Sequence, residues 1–349
     1  MELGSEYNLS LSDLQIKENN IFKYLSKFSF KFYFDSGRSA LKHITKFLKP
    51  CDEILLPEFI CESVTNCFND LNVKYYNLLP DFSVDCEDVS RKISKQTKIF
   101  FLLHYFGHLQ PPRVLERIQY LAKNNNFIII EDTTHSIFTK TQTIGDYIIC
   151  SIRKWLPISK GGVLYYNENK LSLPEPEYRK SEDNERIYGM ILKDMFLKHD
   201  MDFNSIYRKI FAECEEQLDR QNDSFMLSDF SRFIASCMDI EMLKQVRKQN
   251  YLLLQDKLLK LEYNPAIMVL PDETPFIYLF RVKNRNLLRS YLMDNKIYCA
   301  VHWPFDGDQP NVRNFAQRNA SELISLPIDQ RYDETHISYM ADVLARYGR

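Results

Sequence analysis

Short apolar runs alternate with amphipathic stretches over the first half of the chain. Ile54–Leu56, Val73–Leu78, Ile99–Leu103, Phe127–Ile130, Tyr147–Cys150 and Val163–Tyr166 read as strands. Helical spacing runs through Cys61–Phe68, Val84–Ile93 and Val114–Lys123 between them. Runs such as Phe100-Phe101-Leu102-Leu103 and Ile128-Ile129-Ile130 have no polar face, which suits strands buried on both sides. Strands alternating with helices predict an α/β fold with a mostly parallel central sheet flanked by helices.

The flanks of this region read differently. Residues 1–34 form a polar lead-in with one short aromatic segment, and Asp35-Ser36-Gly37-Arg38-Ser39-Ala40-Leu41 opens a helix that runs to about Leu48. Leu171–Glu177, with Pro174 and Pro176, breaks the pattern as a linker, and residues 178–262 are helical, charged and rich in Met and Phe. Phe276–Val282, a helix over Leu287–Asn295, Ile297–Val301 and a helix over Glu334–Arg346 predict a smaller α+β unit. The expected division is a lead-in over 1–34 and a large domain over 35–175. A helical segment over 176–240, serving an interface or a substrate pocket, and a small C-terminal domain over 241–349 follow.

Composition narrows the class. The 349 residues are 45% hydrophobic, enough for a large core and a second, smaller domain. A formal net charge of −2 without basic clusters points away from nucleic acid. The lack of any long apolar run points away from a membrane span. The acidic start Met1-Glu2-Leu3-Gly4-Ser5-Glu6 lacks the basic and apolar regions of a secretory signal. The eight cysteines are scattered with no Cys-x-x-Cys pair, as expected of reduced thiols rather than disulfides or a zinc site. A cytoplasmic location is the expectation.

Ligands of parallel sheets sit at the carboxyl ends of the strands, and several of these ends are chemically loaded. Ile130-Glu131-Asp132-Thr133-Thr134-His135 puts a carboxylate directly after a buried strand, where it can pair with a cationic ring nitrogen; a helix cap or a metal ligand would use the same pattern. Ser151-Ile152-Arg153-Lys154 follows another strand and precedes Gly161-Gly162. Its lysine can form a Schiff base with an aldehyde cofactor, and its serine can bind a phosphate; an exposed Arg-Lys pair is the plainer alternative. Ser36-Gly37-Arg38-Ser39 at a helix start offers backbone N–H groups to an anion, or is a simple cap. His104-Tyr105-Phe106-Gly107-His108 has a pair of histidines but no third metal ligand at a fitting spacing, so no metal is expected.

Taken in order, these elements resemble the DegT/DnrJ/EryC1/StrS family of sugar aminotransferases, within fold-type I pyridoxal-phosphate (PLP) enzymes of the aspartate-aminotransferase-like fold. The resemblance is strong over roughly residues 35–166. It includes Ile54-Leu55-Leu56-Pro57-Glu58-Phe59, Thr97-Lys98-Ile99, Gly107 and Gly145-Asp146. Looser similarity continues through Arg247-Lys248-Gln249-Asn250-Tyr251, His302-Trp303-Pro304 and Ser325-Leu326-Pro327-Ile328.

The resemblance implies a PLP-dependent aminotransferase that converts a keto-sugar, nucleotide-linked, to an amino sugar with glutamate or a similar donor. It implies a homodimer, and polysaccharide biosynthesis as the setting. Lys154 would carry the Schiff base and Asp132 would pair with the pyridine nitrogen. His135 falls where the family has Gln or His near the ring hydroxyl. Ser151 and the backbone of Gly37, Arg38 and Ser39 would hold the phosphate, and Cys61 occupies the place of the aromatic that stacks on the cofactor. Lys154 follows Ser151 by three positions rather than the family's five, and Lys160 replaces an acidic residue before Gly161-Gly162, which makes Lys160 a rival for the Schiff base. A degenerate family member, or a PLP enzyme of another reaction type such as a sugar dehydratase, is the alternative. In the helical stretch, Met190, Met195, Phe196, Phe203, Ile206 and Phe211 are expected to form an apolar dimer surface.

Overall fold

The computed structural model describes residues 2–12, 14–139, 143–168, 173, 175–177, 184–199, 201–221, 223–304 and 314–347. Its strands are β1 (Leu3–Gly4), β2 (Phe30–Phe34), β3 (Glu53–Pro57), β4 (Asn72–Tyr76), β5 (Thr97–Leu103), β6 (Ile128–Asp132), β7 (Tyr147–Cys150), β8 (Gly162–Tyr166), β9 (Tyr278–Arg281), β10 (Ile297–Tyr298) and β11 (Leu323–Leu326). Two compact units form: one from Met1–Ser5, Leu48–Asp146 and Met242–Arg349, the other from Glu6–Phe47 and Tyr147–Glu241.

In the first unit β4, β3, β5 and β6 lie side by side, all parallel, as the apolar runs predict. Every β5 residue except Lys98 is buried, and β6 is buried from Ile129 onward, so both faces of these strands are covered. Between β5 and β6 the helix Pro112–Asn125 turns Val114, Leu115, Ile118 and Leu121 inward and ends on Asn126 in the left-handed conformation. The chain runs from β3 outward to β4 and then returns to the other side of β3 with β5, so the strand order reverses between β3 and β5. Such a reversal opens a crevice beyond the carboxyl ends of the strands. Residues 58–60 and 104–107 lie at those ends.

The C-terminal part of this unit has its own core. Tyr251, Leu254 and Leu258 of the helix Ile240–Leu259 pack with Tyr278, Phe280, Leu288, Leu292, Ile324, Ile337 and Leu344. β9 and β11 pair antiparallel. Leu3 joins this core, because β1 pairs in parallel with β10. The start of the polar lead-in is therefore a strand of this unit.

In the second unit β8 lies between β2 and β7 and is antiparallel to both. The expected sheet is mostly parallel, and β8 is where it departs from parallel. The physical reason is the connection from β7 to β8, Ser151–Gly161, which holds only a short 3-10 turn at Ile152–Lys154. A parallel return needs a crossover of roughly a dozen residues or more, usually a helix. The aromatic segment of the lead-in is β2, whose Phe30 stacks on Tyr166 at 4.9 Å. The helices Asn184–His199 and Asn204–Arg220 pack together and bury Met190 and Phe211, while Ile206 stays exposed. Met190 and Phe211 therefore belong to a core rather than to the expected dimer surface. Of the expected linker at 171–177, residues 171, 172 and 174 lie outside the described residues. Among the described residues no helix is long and apolar enough to cross a membrane.

Candidate active site

The expected site residues divide between the units: Gly37, Arg38, Ser39, Ser151 and Lys154 in one, Cys61, Asp132 and His135 in the other.

In the second unit the helix Gly37–Thr45 begins with Ser36 as N-cap, its hydroxyl accepting from Ser39 N–H at 3.1 Å. Asp35 is fully buried beneath this turn. Its carboxylate accepts from the Ser39 hydroxyl at 2.6 Å and from Gln221 at 2.8 Å, and its carbonyl accepts from Gly161 N–H at 2.6 Å. Ser39 is thus already engaged through both N–H and hydroxyl. That leaves Gly37 and Arg38 as the first-turn N–H groups that face no intrahelical acceptor. The Arg38 side chain pairs with Asp219.

Ser151 lies against this helix start: a Cβ built on Gly37 would sit 3.3 Å from the Ser151 Cβ. The helix start therefore lies close against a hydroxyl-bearing residue, and a side chain on Gly37 would crowd it. Lys154 closes the 3-10 turn that follows, half-buried, with its N–H on Ser151 O at 3.3 Å. The neighbouring Arg153 is committed elsewhere. Its guanidinium makes two parallel bonds to Glu215, at 2.9 and 3.0 Å, and Arg186 adds a third to the same carboxylate at 2.6 Å. Burial opposes the Glu215 charge, but Arg153 and Arg186 outweigh it and hold the pKa down at about 2. The Arg-Lys pair is therefore two residues with different tasks, one locked in an ion network and one left at the end of the turn. Lys160 lines a cavity of about 420 Å³ together with Asn184, Arg186, Cys214, Gln217 and Gln221.

In the first unit, alternation along β6 points Glu131 and Asp132 in opposite directions. Glu131 is structural. It accepts from Ile144 and Gly145 N–H at 2.7 and 2.6 Å and bonds His104 Nε2 at 2.9 Å. His104 Nδ1 accepts from Gln110 N–H at 3.0 Å, so the ring proton sits on Nε2 and is donated to Glu131. No group of His, Cys, Asp and Glu suited to a metal forms among the described residues. Asp132 instead reaches the turn beyond β6, where it accepts from Thr134 N–H at 2.8 Å. Burial pushes the Tyr105 phenol well above its ordinary pKa, with Tyr76, Glu58 and Asp132 adding to it, so Tyr105 stays protonated and donates to Phe59 O at 2.6 Å.

His135 is buried in an aromatic stack. Phe106 lies 5.1 Å from it at 20°, Phe276 4.5 Å at 16° and Trp303 5.8 Å at 11°. Cys61 stands half-exposed at the start of the short helix Glu62–Thr65, its sulfur 3.1 Å from the Ser63 hydroxyl. The aromatic neighbour of this region is Phe59, fully buried and 5.0 Å from Trp303. Trp303 belongs to a sequence motif already noted, whereas nothing local marks Phe276: its contact with His135 joins positions far apart in the chain.

Comparison with known proteins gives a consistent picture. Residues 35–171 match the model of the DegT/DnrJ/EryC1/StrS aminotransferase family, the segment where the sequence resemblance is strong. No curated protein matches the chain. Among solved structures it is similar to DesV of S. venezuelae, with 15% identity, 93% of this chain and 86% of that one covered, and a TM-score of 0.67. It is similar to the putative sugar aminotransferase Spr1654 of Streptococcus pneumoniae in its PLP form, with 14% identity, 98% and 99% covered, and a TM-score of 0.66. A DegT DnrJ EryC1 StrS aminotransferase from Brucella abortus gives 14% identity, 95% and 91% covered, and a TM-score of 0.66. The chain has the fold of these aminotransferases: α/β, with a mostly parallel central sheet flanked by helices.

Proposed function

We propose that this chain is a PLP-dependent aminotransferase that converts a nucleotide-linked keto-sugar to an amino sugar, taking the amino group from glutamate or a similar donor. One observation carries the reading. A single chain of this fold bears an anion-accepting helix start packed on Ser151, with Lys154 one turn later, and a strand end that presents Asp132 and His135.

The donor set suits the cofactor. Gly37 and Arg38 N–H groups and the Ser151 hydroxyl suit a phosphate, helped by the dipole of the nine-residue helix. Lys154 would hold the aldehyde through Nζ. Asp132 would hold the proton on the ring nitrogen, His135 would meet the ring hydroxyl, and Cys61 would face the ring. When bound, PLP supplies an aldehyde that takes up the amino group and a ring that draws electrons from the reacting carbon.

Each protein group then has a bounded task. Lys154 would carry a proton to and from the reacting carbon at Nζ. Asp132 works only as a carboxylate, because a neutral group there cannot keep the ring nitrogen charged. Arg153, held on Glu215, keeps the turn that carries Lys154 fixed on the Asn204–Arg220 helix.

The reading includes a homodimer and a cytoplasmic role in polysaccharide amino-sugar biosynthesis. Exposed Ile206, Phe230 and Phe233 on the second unit are apolar groups that a second copy would cover. The test is direct. The purified protein incubated with PLP should stay yellow after the free cofactor is removed, and with glutamate it should aminate at least one member of a panel of nucleotide-linked keto-sugars. A protein that is colourless once free PLP has been removed overturns the reading.

A further inference from the structure

His135 is the residue that the proposed function sets at the ring hydroxyl, and its own side chain is held by groups far away in sequence. Phe276 covers one face of the imidazole, nearly parallel at 4.5 Å and 16°. Phe276 is in turn held at both ends. Its N–H donates to Phe106 O at 3.2 Å, and its carbonyl accepts from Arg247 Nη1 at 2.8 Å. The Arg247 guanidinium also lies over the Phe276 ring, 5.9 Å from its centre, and Nε donates to Gln330 at 3.1 Å. Arg247 is 1% exposed, one of the largest fully buried side chains. A buried guanidinium is costly unless it is bonded, and here one of its bonds is spent on the backbone of a single aromatic residue.

The segment before Phe276 is laced to the same turns. Thr274 donates through its hydroxyl to Phe138 O at 2.9 Å and through its N–H to the Thr139 hydroxyl at 2.9 Å, and Thr139 donates to Gly107 O at 3.0 Å. Phe106 takes a φ of 57°, a left-handed conformation that costs an aromatic residue energy, and Gly107 follows at 102°. A Cβ on Gly107 would lie 2.6 Å from Thr274 O. This strained turn aims the Phe106 ring at His135, where it stacks at 5.1 Å. Phe276 and Phe106, fixed by these bonds, and Trp303, nearly parallel at 5.8 Å and 11°, therefore set the plane of one imidazole.

We propose that Phe276 and Arg247 are positioning residues that act through His135. Arg247 clamps Phe276, and Phe276 locks the imidazole plane in the orientation that meets the cofactor ring hydroxyl. The inference rests on the PLP reading above. An imidazole free to rotate would bond that hydroxyl less well, so the proton shared across the ring system would titrate at a different pH.

The experiment titrates the visible absorbance of the PLP-loaded protein against pH and measures PLP affinity for Phe276→Leu, Phe276→Tyr, Arg247→Lys and Phe276→Leu/Arg247→Lys. Phe276→Leu should weaken PLP binding about three- to tenfold, the worth of one aromatic pair, and move the absorbance midpoint by about half a unit to one unit. Phe276→Tyr, which keeps the stacking face, should restore both. Arg247→Lys should shift the midpoint in the same direction, and the double variant should add little to Phe276→Leu, because both act on the same ring. A midpoint and affinity unmoved in Phe276→Leu and Arg247→Lys overturn the proposal, as does an equal shift in Phe276→Leu and Phe276→Tyr. If Phe276→Leu fails to fold, the comparison of wild type, Phe276→Tyr and Arg247→Lys decides: Phe276→Tyr at wild-type values with Arg247→Lys shifted supports it, and any other pattern overturns it. A wild-type protein that takes up no PLP overturns the functional reading itself, whereas a normal wild-type titration with unmoved variants sinks this inference alone.

Discussion

The carbonyl of Ser36 occupies the space where a side chain on Gly162 would stand: a Cβ there would lie 2.1 Å from that oxygen and 2.6 Å from Gly37 N. β8 and the helix start thus touch backbone to backbone, which only glycine permits. Gly162→Ala should force the helix start off the strand, destabilise the protein by about 1–3 kcal/mol and weaken PLP binding more than stability alone explains. Urea unfolding with a parallel PLP titration checks both; unchanged affinity would detach this helix start from the phosphate.

Lys154 and Lys160 are rivals that differ in their surroundings, one closing the 3-10 turn after Ser151 and the other lining a polar cavity. Borohydride reduction of the PLP-loaded protein followed by peptide mapping should place the phosphopyridoxyl group on Lys154. Lys154→Ala should lose the covalent adduct and the turnover, and Lys160→Ala should keep the adduct. The label found on Lys160 would reverse the assignment while leaving the enzyme class intact.

Asp132→Asn should fold normally, since an amide oxygen can still accept from Thr134 N–H. It should also keep much of its PLP. Turnover should fall by roughly 10²–10³-fold, the size of effect seen when one electrostatic partner of a transition state is removed. Steady-state kinetics at saturating PLP measures it, and near-normal turnover would make Asp132 a turn cap only.

Glu215 provides a pH signature. Its pKa is held at about 2 in the folded protein, below the ordinary glutamate value of roughly 4.3. A depressed carboxylate adds stability that is fully present above its unfolded pKa and is lost as pH falls toward the folded one. Urea midpoints measured from neutrality downward should therefore show wild type more stable than Glu215→Gln at pH 7. The gap should narrow between roughly pH 4.3 and about 2. A gap that does not change with pH would mean the network contributes through packing alone.

Sedimentation should show a homodimer, with an interface above roughly 2,000 Å² of total buried surface. Ile206→Glu, at a residue 46% exposed, should weaken association without lowering the monomer's melting temperature. A monomer at micromolar concentration that still aminates substrate would remove the dimer from the proposed function.

Apolar runs determined the parallel strands β5 and β6 unaided. Phe100–Leu103 and Ile128–Ile130 can be satisfied only by burial on both faces, and that is a property of local sequence. The same holds for the capped helix at Ser36 and for the strand ends that carry Asp132 and Lys154, because caps and strand ends are decided within a few residues. The strand at Phe30–Phe34, the burial of Met190 and Phe211, and the division of labour between Arg153 and Lys154 were decided by tertiary structure. Each depends on a partner distant in the chain: β2 pairs with β8, and Arg153 finds Glu215 on another helix. The clearest case is His135, whose place after Asp132 is written in the sequence. The rings stacked on it include Phe276, which Arg247 holds, both more than a hundred positions away, because stacking and buried guanidinium bonds form only once the chain has brought those residues together.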